Sequence, residues 1–217
     1  MMRALIKHMT ISAVLLGGFA VIGAGLVAWI QQQTAPTIKA NEQAALLRNL
    51  HSLVPPETHD NKLTRDTIQV RDETLLGTPE PVTVYRARQN GEPVTAILNV
   101  IAPDGYSGRI NLLVAIRYNG ELAGVRVINH SETPGLGDAI DADRSDWIHS
   151  FSGKSLDNPG PAGWKVKKDG GQFDQFTGAT VTPRAVVKAV HNALKYYDKH
   201  REQLFRPTDN PTTDDPA

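Results

Sequence analysis

The chain has 217 residues, with 23 basic and 23 acidic side chains and no cysteine. This balance gives no electrostatic footprint for nucleic acid and argues against such a partner. The absence of cysteine excludes disulfides, cysteine-ligated iron–sulfur clusters and thioether-linked haem, so a redox role requires an organic cofactor.

An uncharged apolar run occupies residues 9–30. As a helix it would be about 33 Å long, which matches a bilayer core of about 30 Å. A cleaved signal peptide is the competing interpretation, but its apolar region is shorter, about 7–15 residues. We therefore predict one transmembrane helix in the lipid bilayer. Residues 1–8 are predicted to be cytoplasmic because Arg3 and Lys7 precede the run and the next charge is Lys39, which places the following domain in the periplasm of a bacterial inner membrane.

Residues 37–206 carry the signals of a single α+β domain, with an antiparallel sheet and flanking helices. Leucines at helical spacing predict an amphipathic helix over 44–53, after a polar break at 31–36. Asn-Gly turns after alternating segments predict two β-hairpins. The predicted strands are 67–70, 82–88, 94–101, 110–118 and 122–128. Residues 207–217 are polar and are predicted to be a disordered tail.

The C-terminal part of the domain is predicted to contain two helices and one more strand. Four aspartates at 138, 141, 143 and 146 lack the spacing of a calcium loop, so we predict no metal site and assign them to N-capping of a short helix over 144–151. Residues 164–167 alternate as a strand, and the last helix covers 184–201. Thr182 is the predicted N-cap of that last helix, and Pro183 suits its first turn.

Residues 174–183 read Asp-Gln-Phe-Thr-Gly-Ala-Thr-Val-Thr-Pro and stand directly before the last helix. A phosphate on Thr180 would lie near free backbone N–H groups and the positive end of the helix dipole. The stretch from 174 to 184 contains no histidine to activate a threonine as a nucleophile. The alternative is a simple helix-capping turn. A preceding strand over 164–167 would put Thr180 at a sheet edge, accessible to a modifying enzyme.

The pattern Asp-x-x-Thr-Gly-Ala-Thr resembles the flavinylation motif of the FMN-binding domain family. In that family a flavin transferase joins FMN, through its phosphate, to the last threonine of the motif. The resemblance implies that Thr180 carries covalent FMN. It implies further that the transferase reads four neighbouring residues, and that Thr182 lies at the same site. The four neighbours are Asp174, Thr177, Gly178 and Ala179.

A second element, Glu-Thr-Pro-Gly-Leu-Gly, follows the fourth long strand and resembles a flavin-contacting loop of the same family. Its residues are Glu132, Thr133, Pro134, Gly135, Leu136 and Gly137. Loops rich in glycine let backbone N–H groups approach a ligand closely. Two aromatic residues have two interpretations each: Tyr106 is near the flavin or is a strand-edge aromatic, and Trp147 flanks the flavin ring or packs its own helix.

The complete layout resembles the G subunits of Rnf-type (Rsx) electron transport complexes. The resemblance implies an electron-carrying subunit of an ion-translocating oxidoreductase coupled to ferredoxin and NAD, without stand-alone catalysis. Its partners would be the other membrane subunits and the flavin transferase. The alternatives are the C subunit of sodium-pumping NADH:quinone reductase, which is usually longer, and a membrane-anchored sensor or assembly domain without flavin.

Overall fold

The computed structural model describes residues 2–206, apart from the side chains of residues 2–5, 7, 10, 13 and 14. The predicted tail, 207–217, lies outside the described residues. The chain divides into two units between Leu46 and Leu47.

The first unit is formed by α1, an α-helix over Met2–Leu53 whose last residues belong to the second unit. The predicted polar break at 31–36 is wrong, because the helix continues through Pro36. Proline removes only one helical hydrogen bond, and the glutamines and alanines around it favour helix. The predicted membrane span, 9–30, lies within α1. By length and composition, α1 is the one helix in the described part of the chain that could cross a membrane.

The second unit is built on five antiparallel strands, each paired with the next along the chain. Its first elements are β1 (Thr67–Asp72), the short helix α2 (Glu73–Leu76), β2 (Thr78–Gln89), β3 (Glu92–Ala102), β4 (Ile110–Arg117) and β5 (Leu122–Asn129). Asn90 and Gly91 have φ angles of 52° and 82°, as a two-residue hairpin turn requires. The sequence-based strands are therefore confirmed, with slightly longer bounds.

One face of the sheet packs against α3 (Val181–Leu204). The strand register places Val84, Leu98 and Val114 side by side, and all three are fully buried in the core. The predicted apolar stripe of the last helix is confirmed as buried: Val186, Val187, Val190, Ala193, Leu194 and Tyr197. Burial of this stripe against the sheet fixes which side of α3 faces solvent.

Two arginines of β2 hold the carboxyl end of α3. Arg86 donates to the carbonyl oxygen of Arg206 at 2.7 Å, and Arg88 donates to that of Phe205 at 2.8 Å. Asp66 forms ion pairs with both guanidinium groups. Cations and donors at this end satisfy the last helical carbonyl groups, so the end of α3 is fastened to the sheet.

The segment between β5 and α3 contains four 3₁₀ helices and no strand of the sheet. They cover Gly137–Ile140, Asp146–Phe151, Pro161–Gly163 and Lys167–Asp169. The short helix predicted over 144–151 is the second of these. Its N-cap is Ser145, whose Oγ accepts from the backbone N–H of Trp147 at 3.2 Å. The prediction of an aspartate cap is therefore wrong.

The strand predicted over 164–167 is also wrong. Trp164 and Val166 are buried and the two lysines beside them are exposed, which explains the alternation. The chain nevertheless folds back on itself, since a Cβ added to Gly171 would lie 2.0 Å from the carbonyl oxygen of Lys165. Thr180 therefore lies at the start of α3 and not at a sheet edge.

Candidate functional site

Three loops meet at the buried side chain of Glu132, which is 4% exposed. Its Oε1 accepts from the backbone N–H of Ser107 at 3.0 Å, and its Oε2 accepts from Thr182 Oγ1 at 2.5 Å. Ser107 belongs to the β3–β4 loop, Glu132 follows β5, and Thr182 lies in the first turn of α3. One carboxylate thus connects three segments that are distant in sequence.

Two glycines make this junction possible. A Cβ added to Gly105 would lie 2.9 Å from Glu132 Oε1, and one added to Gly137 would lie 2.8 Å from Glu132 Oε2 and 2.9 Å from Thr182 Oγ1. Real side chains do not approach this closely without displacing their neighbours. Glycine at both positions therefore lets the loops close around the carboxylate.

Thr180 occupies the N-cap position of α3, and its side chain makes no capping hydrogen bond. The prediction that Thr182 is the N-cap is wrong: Thr182 is completely buried within the first turn, where its hydroxyl goes to Glu132. Pro183 lies in that turn, as predicted. The first turn of a helix has N–H groups without helical partners, and this one carries no acidic residue. The end of α3 beside Thr180 is therefore electropositive.

The two predicted motifs lie against each other. A Cβ built on Gly178 would be 3.6 Å from Leu136 Cδ2, and Gly178 has a φ of 80°. Thr177 and Gly178 are exposed, Ala179 and Thr180 are half-buried, and Thr133, Pro134 and Gly135 are exposed. The structure therefore brings the 132–137 loop and the 177–180 stretch together at an accessible surface.

Exposed apolar side chains surround this junction. Within residues 47–206 the large apolar side chains exposed to solvent are Leu47, Tyr106, Tyr118, Ile128, Leu136 and Val181. Three of them, Tyr106 (72% exposed), Leu136 (45%) and Val181 (42%), belong to the three loops that meet at Glu132. A concentration of exposed apolar surface marks a place where a ligand or partner binds.

Trp147 lies in the core below the attachment stretch. Its Nε1 donates to the backbone carbonyl of Asp174 at 2.8 Å. Its ring meets Phe151 and Phe176 edge to face, at centroid distances of 5.3 and 5.2 Å. Of its two interpretations, the structure supports packing, because Trp147 anchors the backbone at the first residue of the motif. The Asp174 side chain itself is exposed and pairs with Lys167 at 2.6 Å.

The cations nearest the start of α3 are paired with carboxylates. Arg184, one turn after Thr180, donates two hydrogen bonds of 2.5 Å to Asp169, which lower the pKa of the Asp169 carboxyl group. Lys188, in the next turn, pairs with Asp104 at 2.6 Å. Among the side chains that the structure describes, no group of three His, Asp or Glu residues could hold a metal ion.

Sequence reasoning missed three contributors to the junction. Ser107 acts through its backbone N–H, which leaves no side-chain signal. His130 accepts from the backbone N–H of Glu132 through Nδ1 at 3.0 Å, and its Nε2 is 2.9 Å from Asp141 Oδ2. The available signal was a histidine two residues before the motif glutamate, with an aspartate run shortly after.

Comparison with family models agrees with this geometry. The model described as FMN-binding domain matches residues 105–195, which contain all three loops. The model described as RnfG N-terminal region matches residues 1–53, the extent of α1. Two crystal structures of a related subunit are similar: NqrC of Shewanella oneidensis, with 22% identity, a TM-score of 0.48 and coverage of 67% of this chain and 74% of that one, and the C subunit of the Na⁺-translocating NADH-quinone reductase of Parabacteroides distasonis, with 21%, 0.47, 66% and 79%.

Curated relatives extend over nearly the whole chain. A Pseudomonas aeruginosa protein (strain UCBPP-PA14) is 51% identical over 93% of this chain and 94% of its own length. A Shewanella baltica protein is 51% identical over 88% and 90%, and a Vibrio cholerae protein is 47% identical over 94% and 95%. All three are named as the G subunit of an ion-translocating oxidoreductase complex. The chain therefore belongs to the family of G subunits of ion-translocating oxidoreductase complexes.

Proposed function

We propose that this chain is an electron-carrying subunit that holds FMN through a phosphoester bond to Thr180. One observation carries the proposal: Thr180 stands, without a capping hydrogen bond, at the start of α3, where three loops and their exposed apolar side chains meet. The G-subunit relatives and the FMN-binding domain model support the same assignment.

The start of α3 suits the phosphate of FMN. Unpartnered N–H groups and the positive end of the helix dipole favour an anion beside Thr180. The nearest buried carboxylate, Glu132, is turned inward to Ser107 and Thr182. The negative charge closest to the site is therefore already satisfied by donors of the protein.

The surface around Thr180 suits a flat ring system. Tyr106, Leu136 and Val181 present exposed apolar groups from three separate loops. When bound, FMN supplies the reversible electron transfer that no amino-acid side chain of this cysteine-free chain offers. The protein residues attach, orient and shield the group, so we expect no stand-alone catalysis. Since residues 174–184 include no histidine, attachment requires a separate flavin transferase.

We place the chain in the bacterial inner membrane as a single-pass protein. Arg3 and Lys7 precede the apolar part of α1, and the next charge is Lys39, which favours a cytoplasmic N-terminus and a periplasmic main domain. The other membrane subunits of the complex are its partners, and ferredoxin and NAD are the redox couple at the ends of the pathway. A covalent bond keeps the FMN from being lost outside the cytoplasm.

The test is the mass of the full-length protein after co-expression with a flavin transferase. Wild type and Thr180→Ser, which keeps a hydroxyl group, are expected to gain the mass of FMN less one water and to fluoresce on a denaturing gel. Thr180→Val, which has nearly the same shape without the hydroxyl, is expected to gain nothing. A labelled Thr180→Val protein would move the acceptor to another residue, and an unlabelled wild type would favour the flavin-free sensor or assembly domain.

A further inference from the structure

We propose that Glu132 is a positioning residue that sets the start of α3, and with it Thr180, through a buried hydrogen bond to Thr182. The proposal deepens the function proposed above, because it concerns the same attachment site. It also assigns Glu132 a role different from the flavin contact that its motif implies.

The carboxylate faces inward and is used at both ends. Glu132 Oε1 accepts from Ser107 N–H and Oε2 accepts from Thr182 Oγ1, at 3.0 and 2.5 Å. Both neighbours donate, as an ionised carboxylate requires. With the residue 4% exposed, each of these bonds is expensive to leave unmade. The two oxygens therefore fix the β3–β4 loop and α3 relative to each other.

The backbone of Glu132 is fixed as well. Its N–H donates to His130 Nδ1 at 3.0 Å, so the imidazole proton resides on Nε2, which donates to Asp141 Oδ2 at 2.9 Å. Asp141 immediately follows the 3₁₀ helix Gly137–Ile140. The glutamate is thus held in its main chain by one network and holds α3 with its side chain.

The effect on Thr180 follows from sequence distance. Thr182 is two residues beyond Thr180 and is completely buried, so locking its side chain fixes the backbone that presents the acceptor hydroxyl. Glu132 also places a negative charge behind the positive end of α3. That charge opposes further negative charge nearby, so it lowers the reduction potential of a flavin on Thr180.

The first test measures how fast the transferase labels the purified full-length protein with FMN. Thr182→Ser keeps the hydroxyl donor and is expected to label at nearly the wild-type rate. Thr182→Val has a matching shape but leaves Oε2 without its donor, and is expected to label about tenfold more slowly or worse. Glu132→Ala is expected to show the same loss. Equal rates for Thr182→Val and Thr182→Ser would overturn the proposal.

The second test separates charge from position in the labelled protein. Glu132→Gln keeps an oxygen for Ser107 N–H and an amide that donates to Thr182 Oγ1, so labelling is expected to persist while the flavin reduction potential rises. An unchanged or lower potential would contradict the assigned charge. A merely structural role would not shift the potential at preserved labelling.

A third readout needs no flavin and distinguishes this proposal from the proposed function. In the unlabelled protein, hydrogen exchange at Ser107 N–H is expected to accelerate at least tenfold in Glu132→Ala, since that donor loses its acceptor. Unchanged exchange would refute the positioning role even in a labelled wild type. Faster exchange in a protein that never accepts FMN would leave the junction correct and the flavin assignment wrong.

Discussion

Replacing Trp147 by phenylalanine tests whether the core supports the attachment stretch. The indole Nε1 donates to the Asp174 carbonyl at 2.8 Å, and the ring packs on Phe151 and Phe176. Phenylalanine keeps an aromatic ring but has no donor and a smaller volume. The substitution therefore releases the first residue of the attachment stretch from the core while leaving that stretch unaltered in sequence.

The expected loss of stability is about 2–4 kcal/mol. A buried carbonyl left without its donor costs about 1–3 kcal/mol. Weakened edge-to-face packing adds about 0.5–1.5 kcal/mol for each ring pair that is lost. For a domain of this size, each kcal/mol lowers Tm by about 2–4 °C, so a decrease of roughly 10 °C is expected.

Trp164→Phe is the matched control. Trp164 is also buried, and its Nε1 donates to the Ser155 carbonyl at 3.1 Å, away from the attachment stretch. Guanidinium unfolding followed by circular dichroism is expected to show similar losses for both variants, whereas FMN labelling below the transition is expected to slow only in Trp147→Phe. Equal labelling of the two variants would show that anchoring of Asp174 does not matter for attachment.

Two further predictions concern glycines and a histidine. Gly137→Ala is expected to reduce labelling more than Gly178→Ala, because its Cβ would enter the contact with Glu132 at 2.8 Å, whereas Gly178 meets no atom closer than 3.6 Å and loses only about 1–2 kcal/mol through its positive φ; labelling rates of the two variants decide this. Burial, and secondly Lys195, lower the pKa of His191 from 6.5 to about 4. The unfolded chain therefore binds this proton first on acidification, and stability falls as the pH drops from about 6.5 towards 4. His191→Gln is expected to flatten that part of the stability curve, and a slope identical to wild type would count against it.

The hairpins were predictable because their signals are local. Asn90-Gly91 requires the backbone of a tight turn, and the flanking alternation places one face of each strand in the core. The last helix was predictable for the same reason, since its apolar stripe has a single period. The ordering of these elements along the chain was enough to establish the α+β class.

The failures come from contacts that no local pattern encodes. Thr182 resembled an N-cap, but its hydroxyl bonds to Glu132, which is 50 residues earlier in the chain. Trp164 and Val166 alternate with lysines as in a strand, yet the fold-back at Gly171 prevents pairing with the sheet. The motifs indicated which residues gather at the site. They gave no indication that Glu132 faces inward.

Both ends of α3 are secured by side chains from elsewhere in the domain: Glu132 at its beginning, and Arg86 and Arg88 at its end. Such a helix cannot slide along the sheet or unwind at one terminus without breaking buried polar contacts. A redox group carried on Thr180 therefore moves only as the entire domain moves. The timing of electron exchange with a neighbouring subunit is then governed by excursions of the domain as a rigid body.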